Sequence, residues 1–244
     1  MAYQNFAWVY DMLNEEADYD ALCAYVLQVL RSHHIHEGVV ADLGCGTGEL
    51  TLRLAQAGYD MIGVDAAEDM LCMLQEKAAE AGHTDILLVH QKLQSLNLYS
   101  AVKAAVSSFD TLNHIGPEKQ FMKAVQRAAL FLEPNGVFIF DMNTPYKHQE
   151  VLADNTFVLQ ADDVKCTWSN QYDAAGKRTC IKVQIEDEQH EKFTERFYEY
   201  EYSQECITQA CEAAGLRIES VLDGERFDAV RADTQRYLFV AVKE

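Results

Sequence analysis

Basic residues are scarce in this 244-residue sequence: 20 Lys and Arg stand against 39 Asp and Glu, which gives a formal net charge of −19. Such a charge repels nucleic-acid phosphates and anionic lipid surfaces. No local basic patch opposes it, because the densest basic positions are isolated pairs such as Lys177 and Arg178. We therefore expect neither a nucleic-acid partner nor a membrane partner.

Paired cysteines and long apolar runs are also missing. The seven cysteines are an odd number without a CxxC spacing, and the chain does not open with the basic and apolar regions of a signal peptide. Charges interrupt every apolar stretch within about ten residues, well short of the roughly 20 needed to cross a bilayer. These absences predict a cytoplasmic protein without a transmembrane helix.

Glycine (12) and proline (3) are few, whereas hydrophobic residues make up 49% of the chain. This composition excludes a disordered or fibrous protein. The length suits one large domain, or one domain that carries an insertion.

Short apolar stretches alternate with amphipathic ones through the first 140 residues. Parallel strands need crossover connections, so this alternation predicts a doubly wound, mostly parallel sheet. The expected strands are 38–43, 61–64, 86–89, 101–107 and 137–140, and the expected helices are 18–33, 49–57, 69–81 and 118–132.

After Pro145 the pattern becomes β-branched and aromatic, with turn-like breaks, in four stretches between 156 and 202. A helix at 204–214 and strands at 216–221 and 237–242 follow. We predict an α/β fold with a seven-stranded, Rossmann-like, mostly parallel sheet built from residues 1–146 and 203–244. Residues 147–202 would form an inserted antiparallel β-rich cap.

Three glycines, Gly44, Gly46 and Gly48, lie between the first strand and its helix. They allow positive φ and close approach of a ligand to the backbone. A dinucleotide fingerprint requires glycine where this chain has Glu49, and a carboxylate in the first helical turn disfavours a pyrophosphate. The loop suits a cationic ribose-containing ligand without phosphate better than a dinucleotide.

The stretch from Val40 to Gly48 resembles the nucleotide-binding motif of class I S-adenosylmethionine (SAM)-dependent methyltransferases, and Ile62–Asp65 followed by Met70 resembles their second motif. The resemblance implies that the glycines lie against the methionyl part of SAM, that Asp42 is near its amino group and that Asp65 binds the ribose hydroxyls. The cofactor-binding residues that we predict are Tyr10, Asp42, Gly44, Cys45, Gly46, Gly48, Asp65, Ala66, Met70, Gln91, Lys92, Leu93, Ser107 and Asp110.

Two other segments bear on this site. Residues 6–11 resemble the Phe-Ala-x-x-Tyr-Asp opening of the family, in which Tyr10 would face the sulfonium in a cation–π contact; an amphipathic helix with buried aromatic residues is the alternative. After the third strand the family often has an acid that binds the adenine amino group, but this chain has Lys92. Either Gln91 substitutes, or the Leu93 backbone and packing hold the adenine.

The segment from Ser107 to Ile115 resembles a loop of small-molecule N-methyltransferases, the methyltransferase-25-like branch that includes glycine N-methyltransferase and the aminosugar dimethyltransferases. On that resemblance Asp110 and Asn113 would shape the methyl-donor side, and His114 is a possible general base. The alternative for His114 is a capping or packing role. The substrate residues that we predict are Asn113, Asp141, Asn143, Trp168 and Arg196, although turn formation or a half-solvated sheet would also explain the last four.

We expect no metal, because His33, His34 and His36 suit a helix C-terminus and the Cys206–Cys211 pair suits packing. The sequence thus predicts a methyltransferase that acts on a small molecule with a nitrogen or oxygen nucleophile. A non-catalytic SAM-binding or sensing protein and, with less support, an NAD(P)-dependent oxidoreductase are the alternatives. The sequence identifies neither the acceptor nor the oligomeric state.

Overall fold

The computed structural model describes residues 10–11, 14, 17–161, 164–186 and 192–244. Two aromatic residues of the N-terminal motif, Phe6 and Trp8, lie outside the described residues. Within the described ranges no helix is long and apolar enough to cross a membrane.

Five parallel strands with helices between them form the first part of the fold. Parallel pairing joins β3 to β2, β2 to β1, β1 to β4 and β4 to β5. The elements are α1 (Tyr19–Ser32), β1 (Val39–Leu43), α2 (Glu49–Gln56), β2 (Asp60–Asp65), α3 (Glu68–Glu80), β3 (Leu87–His90), β4 (Val102–Ser107), α4 (Glu118–Phe131) and β5 (Leu132–Asn143).

The chain then forms a second, antiparallel sheet of four strands in the order β6-β7-β8-β9, which we call the cap sheet. A π-helical turn, Lys147–Leu152, leads into it. Its strands are β6 (Thr156–Ala161), β7 (Val164–Asp173), β8 (Arg178–Glu186) and β9 (Lys192–Tyr200). The alternating β-branched and aromatic residues of this region thus do form the additional sheet.

The last segment returns to the main sheet as α5 (Gln204–Ala213), β10 (Leu216–Asp223), β11 (Asp228–Ala229) and β12 (Arg236–Lys243). The sheet order is β11-β10-β12-β5-β4-β1-β2-β3, and β12 is antiparallel to both β5 and β10. The prediction of a mostly parallel Rossmann-like sheet is confirmed. The structure adds an eighth strand, β11, whose two residues are too few for an alternating pattern to reveal.

Both faces of the main sheet are buried, and β5 shows how. Phe138 and Phe140 pack in the core beneath α4 and α5, whereas Val137 and Ile139 pack in the core beneath α1 and α2. Successive side chains of a strand point to opposite faces, so a strand covered by helices on both sides is apolar throughout. This explains the continuous apolar run in the sequence.

The start of β5 differs from the prediction. We expected the strand only from residue 137, but it begins at Leu132. Val102 pairs with Leu132 and Ala104 with Val137, so the intervening residues bulge. The bulge contains Asn135 at φ 62°, a turn-like conformation within the strand.

Candidate functional site

A cavity of about 430 Å³ opens where the carboxyl ends of β1 to β4 meet the cap sheet. Ligands bind at this edge in doubly wound folds, and the volume falls in the ~300–1,000 Å³ range of small-molecule sites. The walls come from the loops after these four strands, from β9 and from Tyr10. The lining residues are Tyr10, Gly44, Gly46, Asp65, Ala66, Ala67, Met70, Gln91, Lys92, Leu93, Gln94, Phe109, Thr111, His114, Ile115, Gly116, Phe197, Tyr198 and Tyr200.

The loop after β1 presents bare backbone to this cavity. Gly44, Gly46 and Gly48 have φ of 82°, 52° and 89°. A Cβ on Gly44 would lie 2.2 Å from a threonine of the loop after β4, and one on Gly48 would lie 2.0 Å from a leucine of α3. At Gly46 the nearest atom, on Tyr10, is 3.8 Å away. Gly44 and Gly46 therefore line the cavity, whereas Gly48 faces α3 and allows the loop to pack there.

Asp65 ends β2 with its carboxylate directed at the glycine loop. Oδ2 accepts a hydrogen bond from Gly46 N at 3.0 Å, and Oδ1 accepts one from Ala67 N at 2.8 Å. Burial raises the pKa of Asp65, although these two hydrogen bonds act in the opposite direction. A carboxylate has about four acceptor positions, so Asp65 keeps the capacity to accept from a vicinal diol. Ala66 and Met70 line the cavity beside it.

A second cavity of about 20 Å³ lies beside the glycine loop and is lined by Asp42 and Cys45. Oδ2 of Asp42 accepts from Thr51 Oγ1 at 2.6 Å, whereas Oδ1 is buried and has no hydrogen-bond partner among the described residues. Burial raises the pKa of Asp42 to about 7. A buried acceptor without a partner is costly, and this cavity has room for one water molecule. Asp42 is thus an acceptor with spare capacity beside the glycine loop.

The turn after β3 distinguishes the two proposals for adenine. Oε1 of Gln91 accepts from Asn97 N at 2.8 Å, and Nε2 donates to Asn97 O at 3.5 Å. The Gln91 side chain is thus engaged in holding its own turn. Gln91, Lys92 and Leu93 all line the cavity, and Leu93 is buried. With the Gln91 amide engaged in this turn, the Leu93 backbone and packing remain the prediction for the adenine.

The loop after β4 has an uncommon conformation, because Phe109 and Asp110 both have positive φ, at 51° and 54°. Asp141 at the end of β5 stabilises it by accepting both backbone amides, each at 2.7 Å. Arg236 of β12 donates to Asp141 at 3.0 Å and to Asp110 at 3.2 Å. Asp110 and Asp141, predicted to touch cofactor and substrate, are instead the scaffold of this loop and do not line the cavity.

His114 does line the cavity, in a 3-10 turn after that loop. Its Nε2 lies 3.6 Å from Oδ2 of Asp110, and its ring meets Phe197 edge-on at 5.3 Å. Burial alone lowers the pKa of an imidazole, but the hydrogen bond to Asp110 and the charge of Glu199 raise the pKa of His114. His114 therefore keeps its proton to higher pH than a free histidine. Its role as a general base stays a prediction.

Glu199 of β9 completes a buried network behind His114. Asn143 Nδ2 donates to Glu199 at 2.9 Å, and Lys147 Nζ donates to Asn143 Oδ1 at 2.9 Å. Burial and the neighbouring Asp110 raise the pKa of Glu199 to about 7. The side chains at 110, 114 and 199 have ligand atoms within 4.8 Å of one another, a spacing that can hold a metal ion. Lys147 and Arg236 act on the same carboxylates, however, and would repel a divalent cation.

Three further predicted residues hold the site together without lining the cavity. Asn113 is buried, donates to Tyr200 O at 2.9 Å and accepts from Asn143 N at 2.8 Å. It thereby joins the loop after β4 to β5 and to the cap sheet. Ser107 donates to Leu43 O at 2.7 Å and so joins β4 to β1. Asn113, Asn143 and Ser107 are therefore placed to position the walls rather than to contact a ligand.

The two predicted substrate residues of the cap sheet also lie away from the cavity. Trp168 is on the inner face, edge-on to Phe197 at 6.3 Å, where it joins the core of the cap. Arg196 is exposed and is not among the β9 residues that line the cavity. The structure thus does not bring Arg196 to the cavity.

Several site residues escaped sequence reasoning. They are Arg236, Lys147, Phe197 and Glu199, which were not singled out from the sequence. A signal was present in β9, since Phe193, Phe197 and Glu199 have the same parity and the buried inner face includes the last two. A glutamate in phase with buried phenylalanines indicates a buried, partnered carboxylate.

Comparison with known proteins agrees with this geometry. Residues 40–136 match the methyltransferase domain family. Over 171 residues the chain is 32% identical to the putative methyltransferase YqeM of Bacillus subtilis (strain 168), an alignment that covers 70% of this chain and 67% of that protein. The chain belongs to the class I SAM-dependent methyltransferases.

Other relatives extend the match over the whole methyltransferase. A putative methyltransferase of Geobacillus sp. (strain WCH70) is 28% identical over 249 residues and the full length of both chains. The crystal structure of an S-adenosylmethionine-dependent methyltransferase from Clostridium acetobutylicum ATCC 824 has a TM-score of 0.89 at 25% identity, and the match covers 99% of this chain and 98% of that one. The cap sheet therefore belongs to the shared fold.

The predictions of an enzyme and of SAM as its cofactor are confirmed by these matches. They lend no support to a non-catalytic SAM-binding protein or to an NAD(P)-dependent oxidoreductase. A further relative is the dTDP-3-amino-3,6-dideoxy-alpha-D-glucopyranose N,N-dimethyltransferase of Streptomyces fradiae. It is 23% identical over 137 residues, which cover 55% of this chain and 52% of that protein.

Proposed function

We propose that this methyltransferase transfers the methyl group of SAM to a nitrogen or oxygen atom of a small molecule bound beneath the cap sheet. The observation that supports this most directly is the cavity of about 430 Å³ between the glycine loop and the aromatic residues Phe197, Tyr198 and Tyr200 of β9. A cavity roofed in this way favours a small acceptor over a protein or nucleic-acid surface. The small-molecule substrate in the name of the Streptomyces fradiae relative is consistent with it.

The residues present fit the cofactor. SAM, when bound, supplies an activated methyl group on its sulfonium. Asp65 has free acceptor positions for the two ribose hydroxyls, and the unpartnered Oδ1 of Asp42 offers an acceptor near the glycine loop. Bare backbone at Gly44 and Gly46 allows close approach, and Tyr10 stands over Gly46. We propose these five residues, with Leu93 for the adenine, as the centre of the cofactor site.

The protonation state of His114 should affect methyl transfer to a hydroxyl but not to an amine. A neutral amine has a lone pair ready for the methyl group, so it needs no base and only has to be positioned. A hydroxyl has to lose a proton, and His114 can accept one only when it is neutral. Because the pKa of His114 is raised, transfer to a hydroxyl would increase with pH through this raised pKa, and a His114→Gln variant would lose that increase.

The structure also supports the proposed division of the chain. Residues 147–202 contain the cap sheet, and residues 1–146 and 203–244 contain the described strands of the main sheet, which suits a cofactor domain with an inserted cap.

All seven cysteines are free thiols, which is consistent with the expected cytoplasmic, reducing setting.

The proposal is tested by incubating the protein with radiolabelled SAM and matched panels of small amines and small alcohols, with S-adenosylhomocysteine formation as the readout. Turnover that depends on one acceptor, disappears in Asp65→Ala and survives in Arg196→Ala supports the assignment. If no acceptor raises S-adenosylhomocysteine above the Asp65→Ala background while a protein substrate does, the small-molecule assignment is wrong.

A further inference from the structure

Tyr10 connects the two halves of the cofactor site. Its ring is the nearest group to the pocket side of Gly46, with Cε1 3.8 Å from where a Cβ would be. On its other side Tyr10 packs against the apolar cluster that joins α3 to the cap sheet and includes Met70 and Phe197. It lines both the large cavity and the small one beside the glycine loop. A ligand lying along the glycine loop would therefore be covered by Tyr10.

The next residue, Asp11, anchors this tyrosine to the body of the protein. Its carboxylate accepts hydrogen bonds from the Thr47 hydroxyl in the glycine loop, at 2.5 Å, and from the Lys77 ammonium on α3. Asn14 N donates to the Tyr10 and Asp11 carbonyls, each at 3.1 Å. The position of Tyr10 thus depends on the partners that hold Asp11.

Lys77 is the cation of this anchor, and it neutralises two carboxylates. Its Nζ also donates to Oε1 of Glu49, at 2.8 Å, at the start of α2. Burial would raise the pKa of Glu49, but hydrogen bonds from Lys77 and Arg53 lower it. Lys77 Nζ thus bridges two carboxylates, and without Lys77 their oxygens would face each other with no cation between them. The side chains of Lys77 and Asp11 are 23% and 33% exposed, so water screens the pair only in part.

The geometry points to Lys77 as a positioning residue for the cofactor: its ion pair with Asp11 fastens Tyr10 over the glycine loop, and this pair has to break before the cofactor can leave. The inference rests on the proposed cofactor site. It assigns no chemical step to Lys77, which acts through Asp11 and Tyr10. The consequence is that Lys77 controls how long the cofactor stays bound and leaves the contacts of the ribose and the adenine unchanged.

The test measures dissociation of radiolabelled S-adenosylhomocysteine after a chase with unlabelled SAM, in wild type and in Lys77→Met. We expect the dissociation rate constant to increase about three- to tenfold, the range for a partly screened ion pair. Lys77→Arg, which keeps the charge, should restore most of the wild-type rate. Lys123→Met removes a cation from an exposed position of α4 and should leave the rate unchanged.

A double-mutant cycle separates positioning from general destabilisation. If Lys77 acts through Tyr10, Lys77→Met should have little effect in a Tyr10→Ala background. The wild-type dissociation rate should also increase with salt, because salt screens the pair, and that dependence should weaken in Lys77→Met. Should Lys77→Met fail to fold in thermal unfolding, Asp11→Asn removes the same pair from the other side and has the same expected results.

An unchanged dissociation rate in Lys77→Met, or an equal effect with and without Tyr10, would overturn the inference. Failure of the wild-type protein to bind S-adenosylhomocysteine would instead overturn the proposed cofactor site. The two failures are therefore distinguishable in one set of measurements.

Discussion

Replacing Asp141 with asparagine should destabilise the fold more than any surface change, because one carboxylate serves three partners. It accepts the amides of Phe109 and Asp110, each at 2.7 Å, and a hydrogen bond from Arg236 at 3.0 Å. In Asp141→Asn an amide nitrogen, which cannot accept, replaces one carboxylate oxygen. One of the two backbone N–H groups, that of Phe109 or that of Asp110, then loses its acceptor. The neutral side chain also removes one of the two carboxylates that bind Arg236 and leaves the more distant one, Asp110, at 3.2 Å.

The magnitude follows from these two losses. A buried donor without a partner costs about 1–3 kcal/mol, and breaking a buried ion pair by removing one partner costs about 3–5 kcal/mol. Because Asp110 still compensates Arg236 in part, we expect a total of about 3–5 kcal/mol. At about 2–4 °C per kcal/mol for a chain of this size, Tm should fall by roughly 6–20 °C.

The assay is thermal and urea unfolding of wild type, Asp141→Asn and the control Asp60→Asn. Asp60 is exposed at the start of β2, so the control should stay within about 0.5 kcal/mol of wild type. A loss below about 1 kcal/mol in Asp141→Asn would show that the carboxylate does not hold the loop after β4, and the account of that loop would then be wrong.

Three further outcomes are expected. Gly48→Ala should lower the free energy of unfolding by more than about 2 kcal/mol, because a Cβ there would lie 2.0 Å from a side chain of α3. Gly58→Ala is the control: its φ is +98° but nothing lies within 4 Å of the added Cβ, so it should cost only about 1 kcal/mol. Equal losses in the two variants would contradict the packing argument. His148 is buried, and burial lowers its pKa from 6.5 to about 4, so between these pH values the unfolded chain binds the proton and the native state does not. The free energy of unfolding of wild type should therefore fall by on the order of 3 kcal/mol from pH 6.5 to pH 4 relative to that of His148→Phe. Parallel pH curves of urea unfolding for the two proteins would refute this. Phe197→Ala should lower methyl transfer at least tenfold while Arg196→Ala leaves it within about twofold, since of these two residues Phe197 lines the cavity and Arg196 does not. Comparable rates for the two variants would show that the wall formed by β9 is misassigned.

Local patterns predicted the elements that position the cofactor. The apolar run before Gly44 and the isolated Asp65 after the next strand lie within one βαβ unit of about 30 residues, where spacing alone brings the end of β2 beside the glycine loop. The hydrogen bond from Gly46 N to Asp65, 19 residues apart, is the contact that this spacing implies. The strands of the cap sheet pair with their neighbours along the chain, so local β patterns were enough to predict that sheet.

Side chains that meet across the fold could not be predicted in this way. Arg236 reaches Asp110 over a separation of 126 residues, and Asn143 reaches Glu199 over 56. These contacts depend on the return of β12 beside β5 and on the docking of β9 over the sheet, neither of which leaves a local signal in the sequence. The sequence therefore placed His114 at the cavity but not the charges that raise its pKa.

Calorimetric titration with S-adenosylhomocysteine tests whether Asp65 and the glycine loop bind the adenosyl cofactor. We expect saturable binding by wild type, weakened at least about tenfold in Asp65→Ala by loss of the hydrogen bonds to a ribose diol. Asp60→Ala should bind as wild type does, and NADH should give no binding heat. Equal affinity in wild type and Asp65→Ala, or binding of NADH in place of S-adenosylhomocysteine, would contradict it.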